Sequence, residues 1–444
     1  MEKIVEQIKI DKHSEYKDSG TEWLGVMPAH WELISNKYIF NLKKNQVGKK
    51  SGDYVLLSLT LNGVIKRDME NPQGKFPAEF DTYQEVKKGD FIFCFFDVEE
   101  TPRAVGLSEF DGMITGAYTV MEPNTDFDRK FLYYFYLNLD GDKRLRSLYK
   151  GLRNTIPKES FFSFKTFVPP LKEQSAIASF LDRKTAQIDK AISIKEKQIE
   201  LLKERRQILI HHAVTRGLNP NVKMKDSGVE WIGEIPEHWE VKRLKNICEM
   251  LVSNVDKHSK PLELPVKLCN YVDVYKNDFI NSGIEFMYAT ATIDEISRFK
   301  IKLNDVIITK DSEDWLDIGV PALVKFEEES LICGYHLAIL RPVNNIFGAF
   351  LHRSLLSPYI KTQFSVKANG VTRYGISHGA ILGTFIIVPP IEEQKEISVF
   401  IETGLERITT AVTCKIKEIE KLKEYKATLI NSAVTGKIKV TQDA

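Results

Sequence analysis

Two long stretches of the chain repeat apolar residues every three or four positions, with charged residues between them. Neither stretch contains a proline, and Gly404 is the single glycine before the Ala-Val-Thr strings at 213–215 and 433–435. This period is that of an amphipathic helix. We predict helices over 171–215 and 391–436, each roughly 60 Å long at about 1.5 Å per residue. The apolar positions are Ile177, Leu181, Ile188, Ile192, Ile199, Leu202 and Leu209, and then Ile397, Ile401, Leu405, Ile408, Val412, Ile419, Leu422 and Leu429.

Helices of this length need a partner, because a continuous apolar stripe is unstable in water. Each stretch is the repeat of the other, so we predict that they pair as an antiparallel coiled coil with pseudo-two-fold symmetry. Burying the stripe supplies on the order of 10 kcal/mol per helix before entropy losses. The alternative is that the helices belong to two unrelated cores. The predicted interface comprises Ile188, Ile192, Ile199, Leu202, Leu209, Ile408, Val412, Ile419, Leu422 and Leu429.

The chain contains two copies of one unit. The string KDSGTEWLGVMPAHWE at 17–32 recurs as KDSGVEWIGEIPEHWE at 225–240, 208 residues later. We call these two segments the opening motifs. A second pair, VPPLKEQ from Val168 and VPPIEEQ from Val388, lies 220 residues apart and begins the predicted helices. The second copy therefore has a longer interior, and a period above 200 residues excludes solenoids and propellers.

Between these repeated strings, the pattern changes to short strand-type runs. The segments from Val86 and from Ile301 each place a polar turn and an aspartate before an apolar run. Asn62-Gly63 between two apolar runs predicts a hairpin, and the segments 131–138 and 350–357 predict helices. We predict two mixed α/β domains (fold class α+β), at 36–170 and 241–390. The other predicted boundaries are 1–35 for an N-terminal segment with the first opening motif, 216–240 for a linker with the second, and 437–444 for a C-terminal tail.

Composition adds limits to this picture. The 444 residues are 43% hydrophobic and 28% charged, which is typical of a globular protein with several domains. The net charge is +1, so any nucleic-acid surface must come from local basic clusters. Five scattered cysteines without a C-x-x-C pair fit reduced, buried thiols. The N-terminus lacks the apolar core of a signal peptide and no stretch is long enough to span a bilayer, so we expect a cytoplasmic protein.

The opening motifs, the variable interiors and the two VPP-x-x-E-Q strings together resemble the DNA-specificity subunit of Type I restriction-modification enzymes, from Tyr16 to Val440. The resemblance implies that the two interiors are target-recognition domains, each binding one half of a bipartite, asymmetric double-stranded DNA site. It implies that the helix pair sets the half-site spacing and docks two adenine-N6 methyltransferase subunits. Restriction subunits, which supply the motor and nuclease, would join through that core.

Basic loops that also carry Asn, Gln or Tyr are suited to phosphate positioning and base reading. Arg153 and Arg373 lie at the same distance before the second pair of strings, and an arginine there can bind a phosphate or a guanine edge. The alternatives are an ion pair with a carboxylate of the same domain and, for the other loops, simple solvation. The candidate DNA-binding residues are Lys43, Lys44, Lys49, Lys50, Arg67, Arg144, Arg146, Lys150, Arg153, Asn154, Lys367, Arg373 and Tyr374.

The repeated aromatic residues allow two interpretations. Base stacking is one, but domains that read different bases should not share their readers. We therefore favour packing against the helix ends. These residues are Trp23, Trp31, Trp231 and Trp239, with His30 and His238.

No catalytic signature is found in the sequence. It has no phosphate-binding loop, no Asn-Pro-Pro-aromatic string, no nucleophile beside a base and no metal-ligand spacing. We expect a non-catalytic subunit without catalytic residues, cofactor or metal. The alternatives are a scaffold with two binding domains on a coiled coil that does not bind DNA, and a stand-alone DNA nuclease or methyltransferase.

Overall fold

A computed structural model describes residues 11–21, 25–68, 79–150, 154–343 and 345–440. It divides into two compact units: unit 1 combines residues 1–195 with 416–444, and unit 2 comprises residues 196–415. Each unit therefore contains the first half of one long helix and the second half of the other. Both copies of the duplication contribute to each unit.

Among its described residues, unit 1 contains short strands, two short α-helices and parts of both long helices. Its helices are α1 (Arg129–Gly141), α2 (Lys158–Ser163), the beginning of α3 (Leu171–Arg216) and the end of α9 (Ile391–Val434). Its strands are β1 (Tyr16–Asp18), β2 (Val26–Pro28), β3 (Glu32–Ser35), β4 (Phe40–Leu42), β5 (Leu57–Thr60), β6 (Gly63–Lys66), β7 (Gln84–Val86), β8 (Phe91–Phe93), β9 (Val105–Leu107), β10 (Gly112–Ile114), β11 (Thr119–Pro123) and β12 (Lys165–Val168).

Unit 2 repeats this layout with additional elements. Its further helices are α4 (Tyr271–Lys276), α5 (Ile293–Phe299), α6 (Gly348–Leu355), α7 (Pro358–Ser365) and α8 (His378–Leu382). Its strands are β13 (Met224–Asp226), β14 (Glu234–Pro236), β15 (Glu240–Arg243), β16 (Cys248–Val252), β17 (Leu264–Cys269), β18 (Phe279–Ile280), β19 (Met287–Ala291), β20 (Val306–Thr309), β21 (Asp311–Ser312), β22 (Pro321–Val324), β23 (Leu331–Cys333), β24 (Leu337–Pro342), β25 (Ala368–Gly370), β26 (Tyr374–Ile376) and β27 (Phe385–Val388).

A common central sheet underlies both units. Its strand order is β4-β11-β8-β9 in unit 1 and β16-β24-β20-β22-β18 in unit 2, where β18 adds a parallel edge strand. In both sheets a buried aspartate precedes the central strand: Asp90 pairs with Lys43, and Asp305 pairs with Arg341, each at 2.7 Å. The hairpin predicted around Asn62-Gly63 is confirmed, because β5 pairs antiparallel with β6. The mixed helix-and-strand fold class is confirmed.

The antiparallel pairing of the long helices is confirmed within each unit. In unit 1, Lys195 of α3 lies 2.5 Å from Glu418 of α9, and Asp189 of α3 lies 2.7 Å from Lys426 of α9. Residue numbers therefore rise along one helix as they fall along the other.

In unit 2, Leu209 of α3 lies directly over Gly404 of α9. A Cβ added to Gly404 would be 2.7 Å from a leucine methyl group, so the glycine permits this close approach. None of the ten predicted interface residues is exposed. The buried ones are Ile188, Ile192, Ile408, Ile419 and Leu429, and the half-buried ones are Ile199, Leu202, Leu209, Val412 and Leu422.

The last tryptophan of the first opening motif joins the start of one long helix to the end of the other. Trp31 is fully buried, and its Nε1–H donates to Glu173 in the first turn of α3 at 3.1 Å. Its ring packs on Gly436, which follows α9 in a left-handed conformation (φ +71°) that suits a helix C-terminus. His30 Nε2 lies 2.8 Å from the other oxygen of Glu173.

Unit 2 repeats this arrangement residue for residue. Trp239 is fully buried and donates to Glu393 at 2.6 Å, and His238 Nε2 lies 2.7 Å from the same carboxylate. Gly217 follows α3 with φ +73°, and a Cβ there would be 3.1 Å from the Trp239 ring. We call each His–Trp–Glu set a clamp. For Trp31 and Trp239 the prediction of packing against helix ends is confirmed.

The other two repeated tryptophans differ. Trp231 is 56% exposed and its ring contacts Phe385 instead of a helix end, so the prediction is wrong for that residue. It lies in the turn before β14, where the backbone directs it to the surface of the unit. Trp23 lies outside the described residues.

The glutamine of each VPP-x-x-E-Q string joins the long helix to the sheet domain. Gln174 accepts from the backbone N–H of Asp128, the residue that caps α1, and donates to the Pro169 carbonyl, at 2.8 and 2.9 Å. Gln394 does the same with Phe347 and Pro389, both at 2.8 Å. The repeated strings are therefore the residues that hold helix and domain together.

Two predictions about the rest of the chain can be compared with the structure. Cys414 is exposed, whereas Cys94, Cys248, Cys269 and Cys333 are buried. Among the described residues, we find no helix that combines the length and the apolar character needed to cross a membrane.

Candidate nucleic-acid interface

In unit 1, several loops meet at a cleft of about 560 Å³. Lys44 and Lys158 supply cationic groups, and Gln46, Gln84 and Tyr118 supply amide and aromatic groups. Gln84 Nε2 donates to the Tyr118 carbonyl at 2.7 Å, which fixes this amide. Lysines bind phosphates, amides can bind base edges and aromatic rings stack on bases, so the cleft has the side-chain chemistry of a nucleic-acid reader.

The aromatic wall of this cleft is formed by Phe96 and Tyr118. Their rings are nearly parallel, with centroids 6.3 Å apart, and Phe96 is 38% exposed. Burial raises the pKa of Tyr118 above its usual range, so its hydroxyl is a neutral donor at physiological pH. An isolated bridge between Phe96 and Thr155 brings the segment after Asn154 to the cleft.

Three of the basic candidates in unit 1 are held by carboxylates. Lys43 pairs with Asp90, whose pKa is raised by burial against the opposing effect of this lysine. Arg144 pairs with Asp142, and Arg146 pairs with Glu99 at 2.8 Å.

The remaining candidates in unit 1 differ in exposure. Arg67 is half-buried, and its backbone N–H donates to the Leu56 carbonyl at 2.8 Å. Arg153 lies outside the described residues. Of all the unit 1 candidates, Lys44 alone is among the residues described as lining the cleft. The exposed candidates are Lys44, Lys49, Lys50, Lys150 and Asn154.

In unit 2, the candidates lie on a different structure. Arg373 is the last residue of the turn between β25 and β26, and Tyr374 begins β26. Lys367 precedes β25 with its side chain exposed. The Arg373 guanidinium donates twice to Asp311 of β21, at 3.1 and 2.5 Å, yet its side chain is 55% exposed. A carboxylate in this position orients the guanidinium fork without removing it from solvent.

Several aromatic residues lie near this arginine or near its partner Asp311. The rings of Tyr271 and Tyr275 stack with centroids 5.6 Å apart. Burial raises the pKa of Tyr271, and the charge of Arg373 opposes this with a smaller lowering effect. His336 pairs with the same Asp311 and lies beside the half-exposed Tyr335. The surface thus combines one oriented cation with several aromatic faces.

Residues 236–421 match the family model of the Type I restriction modification DNA specificity domain. The chain is 27% identical over 313 residues, 70% of each chain, to the Type I restriction enzyme MjaVIII specificity subunit of Methanocaldococcus jannaschii. It is 26% identical over 437 residues to the putative type I restriction enzyme MjaX specificity subunit of the same organism, covering 94% of this chain and 96% of that one. The chain is therefore similar to Type I specificity subunits, and residues 236–421 match the DNA specificity domain of that family.

The fold of this chain also matches a solved chain. A structure from work on complex assembly and conformational transition of the type I R-M system superposes with a TM-score of 0.67. The match covers 93% of this chain and 99% of that chain at 13% identity, so it shows the shared fold.

Sequence reasoning missed most of the lining of the unit 1 cleft. Gln46 lies in a basic loop that the sequence singled out, but Gln84 and Tyr118 lie on or beside ordinary strands. Gln84 and Tyr118 come together because β7 and the start of β11 are adjacent at this cleft. No local sequence pattern indicates that these two segments are adjacent. In unit 2 the sequence singled out Arg373 and offered an ion pair within its own domain as the alternative to a DNA contact, but it did not identify Asp311 as the partner.

Proposed function

We propose that this chain is the subunit that selects the DNA sequence for a Type I restriction-modification complex. In this proposal the cleft of unit 1 and the arginine surface of unit 2 each bind one half of a bipartite, asymmetric target. The chain itself performs no catalysis. The candidate residues above serve as phosphate and base contacts.

The observation that carries the proposal is a contrast within each unit. The contacts that attach the sheet domain to the long helices are the same in both units, but the exposed binding groups differ. The clamp and the glutamine contacts are the same in both units, whereas the exposed groups are a lysine-and-amide cleft in one and an arginine with tyrosines in the other. This arrangement is expected when two domains with the same fold recognise different DNA sequences.

The long helix pair is proposed as the spacer and as the docking element. Its stiffness would keep a fixed distance between the two half-sites, because both target halves must be presented near one helical turn of DNA apart. The relatives are specificity subunits of restriction enzymes, and this supports methyltransferase and restriction subunits as partners. The number of methyltransferase subunits, two, is part of our proposal. The alternative scaffold that does not bind DNA shares the coiled coil but leaves the arginine surface unexplained.

The test is a domain exchange in the complete complex. Residues 36–167 are replaced by the matching segment of another specificity subunit, and N6-methyladenine is mapped across host DNA. We expect one half of the recognition sequence to change while the other half and the spacing remain. The matched control replaces residues 244–387 and should change the other half alone.

Two results contradict the proposal. A change in both halves after either exchange means that the units do not read independently. Failure of the unmodified chain, together with its methyltransferase, to bind any duplex favours the scaffold instead.

A further inference from the structure

We propose that unit 1 contains a binding site for a divalent cation of the zinc class, formed by His13, His30 and Glu173, which unit 2 lacks. It lies beside the clamp and goes beyond the proposed DNA function. Its three ligands come from the segment before β1, from the opening motif and from the first turn of α3. A bound cation would fasten these three segments together.

The ligand atoms are already close. One donor atom from each of the three residues lies within 4.8 Å of the others. His30 Nε2 is 2.8 Å from Glu173 Oε2, and His13 Nε2 is 3.8 Å from Glu173 Oε1. Donors about 2.0–2.2 Å from a tetrahedral zinc ion lie roughly 3–4 Å apart, so small side-chain shifts suffice.

His13 is the observation that points to a ligand. The residue is 9% exposed, and its Nε2 is buried without a hydrogen-bond partner, which is uncommon for a buried polar atom. A buried imidazole nitrogen without a hydrogen-bond partner can present its lone pair to a metal. Burial, the largest effect, lowers the pKa of His13 and favours the neutral imidazole that metals require.

The three ligands leave an open coordination position. They face a cleft of about 480 Å³ that is also lined by Ser14, Lys172 and Lys439. Two imidazoles and one carboxylate are the donor set of an open zinc site, in which a water or another ligand takes the fourth position. The two lysines weaken binding of a bare cation and favour an anionic fourth ligand, such as hydroxide or a carboxylate.

Unit 2 provides a control within the same chain. His238 and Glu393 repeat two of the ligands, 2.7 Å apart. The residue at the position of His13 is Asn221, which is exposed. Only unit 1 therefore has the third donor among the described residues, and the clamp alone does not make the site.

The experiment titrates the full-length, tag-free chain with Co²⁺ after removal of metals with EDTA. We expect the visible absorption of four-coordinate cobalt to saturate at one equivalent and Zn²⁺ to displace it. His13→Asn, which introduces the residue found in unit 2, and His30→Ala should each abolish the signal. His238→Ala, which removes the matching histidine of the other clamp, should leave it unchanged.

Three results overturn the proposal: no cobalt signal in the unmodified chain, a signal that survives both unit 1 substitutions, or equal loss in His238→Ala. Thermal midpoints in EDTA show whether a variant is folded. If His13→Asn lowers the midpoint without metal, His30→Ala decides, because His30 is half-exposed and its removal leaves the core intact. Added Zn²⁺ should raise the thermal midpoint of the unmodified chain and of His238→Ala. It should not raise the midpoint of His13→Asn or of His30→Ala.

Discussion

The two units fasten their sheet domains to the long helices through the same clamp, but a second contact differs between them. In unit 1, the hydroxyl of Tyr134 on α1 donates to Asp182 of α3 at 2.8 Å. In unit 2, the matching position on α6 is Arg353, which is 1% exposed and pairs with Glu402 of α9 at 2.7 Å. The same place in the fold thus holds a neutral phenol in one copy and a buried charge in the other.

The buried arginine requires a larger network. Arg353 also approaches Asp278 at 3.3 Å, and Asp278 pairs with Arg206 of α3 at 2.7 Å. Burying a guanidinium without such partners costs several kcal/mol or more, whereas a phenol needs a single acceptor. Unit 2 can use the arginine because its added edge strand β18 begins directly after Asp278. The difference between the copies therefore follows from the extra strand.

The largest expected effect comes from removing this arginine. Arg353→Met removes the hydrogen bonds that the buried guanidinium donates to Glu402 and Asp278, and it should destabilise unit 2 by about 2–3 kcal/mol. The matched change, Tyr134→Phe in unit 1, removes one hydrogen bond to a charged group and should cost about 1.5 kcal/mol. Hydrogen exchange resolved by unit measures both losses. Equal losses would contradict the distinction between the two contacts.

The clamps should behave alike. Trp31→Phe and Trp239→Phe each remove an indole N–H donated to a glutamate, and we expect a loss of about 2 kcal/mol in each unit. Urea unfolding in EDTA, with unit-resolved exchange, measures these losses. Trp231→Phe is the control, since that side chain is exposed and should change stability little. A loss in only one unit would show that the clamps are not equivalent.

The two reading surfaces should respond differently to the removal of a cation. Arg373→Ala should cost about 1–3 kcal/mol of binding and relax the sequence preference at one position of one half-site. Lys44→Ala should weaken binding similarly for all sequences and lower the salt dependence by about one counterion. Binding of the assembled methyltransferase complex to variant duplexes at several salt concentrations separates the two. Uniform weakening by Arg373→Ala would contradict its role as a base reader.

The smallest effect is a pH dependence that comes from one buried histidine of unit 2. Burial, assisted by Arg353, lowers the pKa of His352 from 6.5 to about 3. Below pH 6.5 His352 is protonated in the unfolded chain but stays neutral in the folded unit. The free energy of unfolding that this residue contributes above pH 6.5 is therefore lost as the pH falls toward 3. The loss at pH 5.5 should be about 1.4 kcal/mol.

His352→Leu should remove this component, which is measured as the difference between unfolding free energies at pH 7 and 5.5. The matching position in unit 1 is Tyr133, which takes up no proton in this range. An unchanged difference in the variant would assign the acid sensitivity to other groups.

Much of this architecture was predictable because its signals are local or repeated. The helical period of 171–215 and 391–436 is set by backbone geometry, and the structure has helices at Leu171–Arg216 and Ile391–Val434. The opening motifs and the VPP-x-x-E-Q strings were recognisable because the chain contains each of them twice. Their roles were not, since the acceptor of the Trp31 indole is Glu173, 142 residues away.

The candidate site shows the same limit. Basic loops are visible in a sequence, but whether Lys43 meets a solvent phosphate or Asp90 depends on how β4 lies beside the central strands. The three donors of the proposed cation site are too far apart in sequence to match any metal-ligand spacing.

The sequence by itself determined that the chain is a duplication, that each copy has a mixed domain and a long amphipathic helix, and that the helices pair. These conclusions follow from the spacing of apolar residues along each helix and from the motifs that occur twice in the chain. The tertiary structure alone decided which side chains became ion pairs, which formed the cleft and which buried atoms, His13 Nε2 among them, were left without a hydrogen-bond partner. Those outcomes depend on contacts between segments that are distant in the sequence. An additional strand in one copy, such as β18, changes which polar groups lie next to one another.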